Sequence, residues 1–152
     1  MNIETLLDIN KKINPEKAAI INLLYTSNKI FDEMNAITKQ FDLSIQQFNV
    51  LRILNGAKEK TVNLNYIQSR MIHKMSNTTR LVDKLVEREL VSRGICKENR
   101  RKVEVKISQK GEKFLSKINN IVDTKEQEFC KNLDINEIEE IQRLLNKLRT
   151  NE

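Results

Sequence analysis

The sequence predicts a mainly α-helical chain carrying one small two-stranded β-hairpin, and three observations predict it. Of 152 residues only three are glycine and one is proline, so few backbone breakers interrupt the abundant helix formers. Apolar residues recur at helical spacing over long stretches toward both ends of the chain. Between those stretches, residues 103–108 alternate apolar and polar side chains at Val103, Val105 and Ile107, and with 91–96 they read as two short strands around a charged turn, the pattern of a hairpin.

Taken in order, Asn14-Pro15-Glu16 combines an Asn cap, a first-turn proline and an acid at the positive end of the helix dipole. The apolar stripe Ile20, Leu23, Leu24, Ile30, Phe31, Met34, Ile37 and Phe41 then predicts a helix of roughly seven turns. A helix so long in so small a chain seldom buries its whole stripe within one subunit, which predicts a dimer. Ser44-x-x-Gln47 is a capping box for a second helix, with Phe48, Leu51 and Leu54 inward and Gly56 placed to end it. After a polar loop at 57–61, a short amphipathic helix is predicted at about 63–71, with Leu64, Ile67 and Met71 inward.

The next helix is predicted at about 74–89. Met75, Thr78, Val82 and Leu85 share its inner face, and Ser76, Asn77, Arg80, Asp83, Lys84 and Glu87 the outer one. Helix, helix and hairpin in that order make a winged helix-turn-helix. Ser108 caps a helix carrying Phe114, Leu115, Ile118, Ile121 and Val122. Asp134-x-x-Glu137 caps the last one, with Ile135, Ile138, Ile141, Leu144, Leu145 and Leu148. The expected organisation is a single domain over 1–152. Residues 44–110 form the winged helix-turn-helix module, and helices within 14–41 and 109–150 form a dimerisation body.

The formal net charge is +6, but its placement is more informative. Residues 70–110 hold 12 Lys or Arg against 5 Asp or Glu, and the rest of the chain is close to neutral. A basic module on a neutral chain is the electrostatic footprint of a nucleic-acid binder, because phosphate neutralisation supplies most sequence-independent affinity. No run approaches the roughly 18 apolar residues of a membrane span, and the first twelve residues do not read as a secretory signal. Cys96 and Cys130 are too few for a disulfide framework and lack metal-ligand spacing. A cytoplasmic protein with no cofactor and no membrane contact is expected. Acid pairs such as Glu139 and Glu140 face no base or nucleophile in the pattern, so an enzyme is not expected.

Two runs carry a family resemblance. Ile67-Gln-Ser-Arg-Met with Ser76-Asn-Thr-Thr-Arg-Leu-Val-Asp-Lys-Leu-Val-Glu-Arg-Glu-Leu-Val91 resembles the helix-turn-helix of the MarR family of bacterial transcription regulators. Glu98-Asn-Arg-Arg-Lys-Val-Glu-Val-Lys-Ile-Ser-Gln-Lys-Gly111 resembles that family's wing signature. The specific matches span about residues 64–111. The resemblance implies that Arg101 is the wing arginine that enters the minor groove and that Arg80 belongs to the recognition helix. Asn99 stands where the family usually has an aspartate that braces the wing arginine, so that ion pair is missing. Ile72 and Glu89 occupy positions where the family often has glycine.

The expected DNA contacts follow. Ser76, Asn77, Thr79 and Arg80 are placed to reach base edges in the major groove, and Lys74 and Lys84 to touch phosphates. Arg101 reads a narrow minor groove, while Lys97, Arg100 and Lys102 hold the wing on the backbone, beside Asn99. The resemblance implies a homodimer on a pseudopalindromic double-stranded operator. It further implies a repressor released by a small phenolic or anionic effector. Tyr25 and Tyr66 are read either as effector-pocket residues or as plain core or rim residues, and the effector pocket itself is not assigned. Two other readings stay open: a redox-switched regulator using Cys96, between the basic Arg93 and Lys97, and a basic RNA-binding or protein-interaction module. The absence of aromatic residues from 70–110 weighs against base stacking on single strands.

Overall fold

The computed structural model describes residues 3–8, 13–57, 61–95 and 103–150. Among these described residues seven helices and two paired strands follow in order: α1 (Ile3–Leu6), α2 (Pro15–Lys39), α3 (Ile45–Gly56), α4 (Leu64–Arg70), α5 (Thr78–Glu87), β1 (Val91–Ile95), β2 (Val103–Ile107), α6 (Gln109–Cys130) and α7 (Ile135–Arg149). The expected mainly α chain with a two-stranded wing is therefore the observed one. The short α1, which packs on α2, has no counterpart in the sequence reading.

Local capping chemistry sets most helix starts. Asn14 Oδ1 accepts the Lys17 N–H at 2.9 Å. Ser44 with Gln47, and Asp134 with Glu137, form reciprocal capping boxes, and Ser108 Oγ accepts the Gly111 N–H at 2.9 Å. Each satisfies amides that a helix start otherwise leaves without a partner. At Gly56 the helix ends where expected but by another cap, and α2 ends earlier than its apolar stripe implied. Gly56 is the last residue of α3, and no described glycine has positive φ. The helix instead closes with the Ala57 N–H on the Leu54 carbonyl at 3.1 Å. The α2 helix stops at Lys39 because Asp42 turns left-handed at φ 54, which leaves Phe41 in the turn and edge-on to Phe114 at 6.0 Å.

The core lies where α3, α5, α6 and the hairpin meet, around Val50, Leu51, Val82, Leu85, Val105 and Ile118, all inaccessible to solvent. The strands pair antiparallel, from Val91 opposite Ile107 to Ile95 opposite Val103. Val62 adds a bridge to Val105 through N–H···O bonds of 2.8 and 2.9 Å, tying the loop before α4 to the wing. Lys125 on α6 donates to Glu33 on α2 at 2.7 Å and to Glu128 at 2.9 Å. Those two carboxylates hold its ammonium pKa above the ordinary range.

The outer helices are covered on one side only. No residue of α7 is buried, and Ile135, Ile141, Leu144 and Leu148 stand open. On α2, Ile20, Leu23, Leu24, Tyr25 and Ile30 are likewise exposed.

Glu89, at one of the positions where glycine was noted as usual, takes φ 61. The chain uses the left-handed turn without the residue that adopts it freely. Lys110 donates to Glu89 Oε2 at 2.6 Å, and that hydrogen bond holds the carboxyl pKa below its ordinary range. Glu89→Gly is expected to keep or raise the melting temperature, whereas the β-branched Glu89→Val lowers it by several degrees. Thermal scans of the three proteins at equal concentration check this, and a Val variant as stable as the Glu protein would contradict it.

Candidate nucleic-acid interface

The helix-turn-helix is stitched together by one side chain of α4. Gln68 accepts the Thr78 hydroxyl proton through Oε1 and donates through Nε2 to the Lys74 carbonyl. Thr78 is buried at the start of α5, so these bonds set the angle at which α5 leaves the turn. The Met71 N–H closes α4 on the Ile67 carbonyl at 3.1 Å, and the Ser76 N–H closes the turn on the His73 carbonyl at 3.1 Å. The α5 helix consequently starts at Thr78 rather than near 74. Lys74, Met75 and Ser76 belong to the turn before it. Met75, expected on the inner face, is 98% exposed.

Asn77 caps α5, with Oδ1 accepting the Arg80 N–H at 3.1 Å, so its side-chain amide N–H groups are the part left to offer. Thr79, Arg80 and Lys84 are exposed and Ser76 is half-buried. Ser76, Arg80 and Lys84 line one edge of a cleft of about 360 Å³, whose opposite wall is the capped start of α3 with Ser44 and Gln46. The Lys74 ammonium donates back to the Ser69 carbonyl in the free chain. The fold thus brings the α5 candidates to one surface. Lys97, Asn99, Arg100, Arg101 and Lys102 lie outside the described residues, as does Cys96.

Sequence reasoning missed three supports. Asp83, assigned to the outer face of α5, pairs with Arg93 of β1. That contact ties the wing to α5 and neutralises an acid beside Arg80 and Lys84. Arg88, after the end of α5, donates to the carbonyls of Asp42 at 2.6 Å and Phe41 at 3.1 Å and lies 5.4 Å over the Phe114 ring. It clamps the module to α2 and α6. Gln68 is the third. All three join residues of different elements, and no periodicity signals them.

A second cavity of about 300 Å³ lies among α2, α3, α6 and the turn before α5. Phe31, Met34, Phe48 and Val122 form its apolar wall, and Arg52 and His73 supply polar positions. The His73 ring meets Phe31 edge-on at 5.4 Å, and Arg52 pairs with Glu126 at 3.8 Å. Tyr25 and Tyr66 are not among its walls: Tyr25 is exposed on α2, and Tyr66 lies beneath the Arg70 guanidinium at 3.6 Å. Cys130 is half-buried at the end of α6. Among the described residues no group of His, Cys, Asp or Glu could hold a metal ion, and no helix is long and apolar enough to cross a membrane.

A compact helical module ending in a recognition helix and a paired wing, set between longer helices, defines a winged helix-turn-helix transcription regulator. The MarR family model matches residues 43–103. The HTH-type transcriptional regulator YpoP of Bacillus subtilis is 33% identical over 108 residues, covering 70% of this chain and 71% of YpoP. The MarR transcription factor of Planctomyces limnophilus is 30% identical with a TM-score of 0.69, over 90% of this chain and 98% of that one. A mutant MarR from E. coli, complexed with operator DNA, shares the fold at a TM-score of 0.75 and 22% identity, over 91% and 99% of the two chains. The chain belongs to the MarR family, and it is a transcription regulator, not an enzyme.

Proposed function

We propose that this regulator is a homodimeric repressor that binds a pseudopalindromic operator in double-stranded DNA. The single observation that carries the reading is the α5 edge, where Arg80 and Lys84 stand one turn apart and exposed, beside Ser76 and Asn77. In this reading Thr79, Arg80, Ser76 and the Asn77 amide meet base edges, and Lys84 and a released Lys74 meet phosphates. Arg101 enters the minor groove, with Asn99, Lys97, Arg100 and Lys102 at the wing. Residues 44–110 act as the DNA module, and helices of 14–41 and 109–150 pair two chains. Two-fold pairing sets the recognition helices roughly 34–36 Å apart, one turn of B-DNA.

The dimer reading is supported by magnitude. Nine large apolar side chains stand exposed on α2 and α7. Covering each stabilises by about 1 kcal/mol, counted once per chain. That is enough to exceed the roughly 4–15 kcal/mol cost of association. The α2–α3–α6 cavity is the proposed effector site. A planar phenolic or anionic molecule would lie against Phe31 and Phe48 with Arg52 facing its charge. Because His73 lies in the turn before α5, a ligand that favours another placement of that turn shifts the population away from the DNA-binding form. A repressor of this kind works where the operator is, in the cytoplasm.

Arg80→Ala is expected to weaken operator binding about 10- to 100-fold, and Arg101→Ala at least as much, with the dimer intact in both. Titrating labelled duplex with each protein checks this, and affinities equal to the parent's would sink the assignment.

A further inference from the structure

We infer that Met75 is a specificity-determining residue that reads the 5-methyl group of a thymine in the major groove. This rests on the DNA-binding reading above. Met75 is 98% exposed, the most exposed large apolar residue among those described. A lone exposed apolar side chain is ordinary on a protein surface, but this one stands in a special place. It immediately precedes Ser76 and the Asn77 cap, in the turn that leads into the recognition helix. Around it the Lys74 ammonium lies on the Ser69 carbonyl, the Lys74 carbonyl on Gln68, and Asn77 Oδ1 on the Arg80 N–H, which leaves Met75 as the apolar side chain beside the polar groups of Ser76 and the Asn77 amide. Ile72, the next most exposed apolar residue, lines the α2–α3–α6 cavity, whereas Met75 does not.

A helix N-terminus directed into the major groove meets donors, acceptors and a single apolar group, the thymine methyl. Methionine suits that partner, because its unbranched, polarisable side chain adapts to the position of a small apolar target. The turn itself is held by Gln68 and Thr78, so the contact is aimed by a fixed backbone rather than a free loop.

The test begins with duplexes enriched from a random double-stranded pool by the full chain. Each thymine of the enriched half-site is then replaced by deoxyuridine, which removes only the methyl group. At one thymine per half-site the replacement is expected to weaken the parent about three- to tenfold, the scale of one apolar contact. The same replacement should leave Met75→Ala unchanged, while Met75→Leu retains part of the preference. An equal deoxyuridine cost for parent and Met75→Ala, or no cost at any thymine, would overturn the inference and leave DNA binding standing. Failure to enrich any duplex would overturn the underlying reading and this inference with it. Met75→Ala should melt with the parent and keep its mass in solution. A fall to half that mass would assign Met75 to an interface between copies and overturn the inference.

Discussion

Gly111→Ala is expected to destabilise the chain by about 3 kcal/mol, near the upper end for a single methyl group. A Cβ at residue 111 would stand 2.1 Å from the Leu90 carbonyl oxygen and 2.9 Å from Ile107 Cγ1. Neither neighbour is free to yield. The Leu90 carbonyl accepts the Ser108 N–H at 3.0 Å, and Leu90 and Ile107 are both core residues. Relief would therefore lift the start of α6 away from the base of the wing and cost the Ser108 cap. Glycine serves here for close approach, not for a left-handed turn. Denaturant titration at fixed protein concentration measures the loss. A loss below about 1 kcal/mol would show that α6 can shift without disturbing the wing.

If the proposed dimer pairs through α7, Leu144→Glu combined with Leu148→Glu is expected to leave a monomer of 17.9 kDa. It should also weaken operator binding by at least about 100-fold. Both leucines are roughly half exposed on α7, which buries no residue of its own within one chain. Substitution there leaves the core of the DNA module untouched, so each module still folds. The loss comes from elsewhere: two half-sites bound by one linked dimer gain a large effective concentration, which two separate monomers lack. Two carboxylates buried in an apolar interface cannot be offset by any basic partner supplied from the same stripe. Sedimentation equilibrium reports the mass and duplex titration the affinity. A variant that remains dimeric would remove α7 from the interface.

What could be read from the sequence was local. Asn14, the Ser44–Gln47 and Asp134–Glu137 boxes, and Ser108 act within three residues of themselves, and all four cap as expected. The buried faces of α3 and α4, together with Val82 and Leu85 of α5, followed their 3.6-residue period. The failures share a different physics. The α5 helix begins four residues later than its apolar pattern implied, because Gln68 of another helix holds the turn through Lys74 and Thr78. Met75 fell in that error, since periodicity cannot distinguish a turn residue ahead of the cap from one in the helix. Asp83 with Arg93, and Arg88 with the Phe41 and Asp42 carbonyls, are pairings across 10 to 47 positions. The wing residues 97–102, on which much of the sequence argument rested, lie outside the described structure. The role proposed for them rests on the resemblance.

If two copies of this chain grip one duplex through phosphate and base contacts, a single titration is decisive. The probe is a duplex enriched by the full chain from a random double-stranded pool, titrated across salt concentrations with single-stranded DNA and RNA of the same sequence as competitors. Two chains should bind per duplex, with an affinity that falls steeply and linearly on logarithmic axes as salt rises, and little competition from either single strand. One chain per duplex, or single-stranded nucleic acid competing as well as the duplex, would contradict this mode of binding.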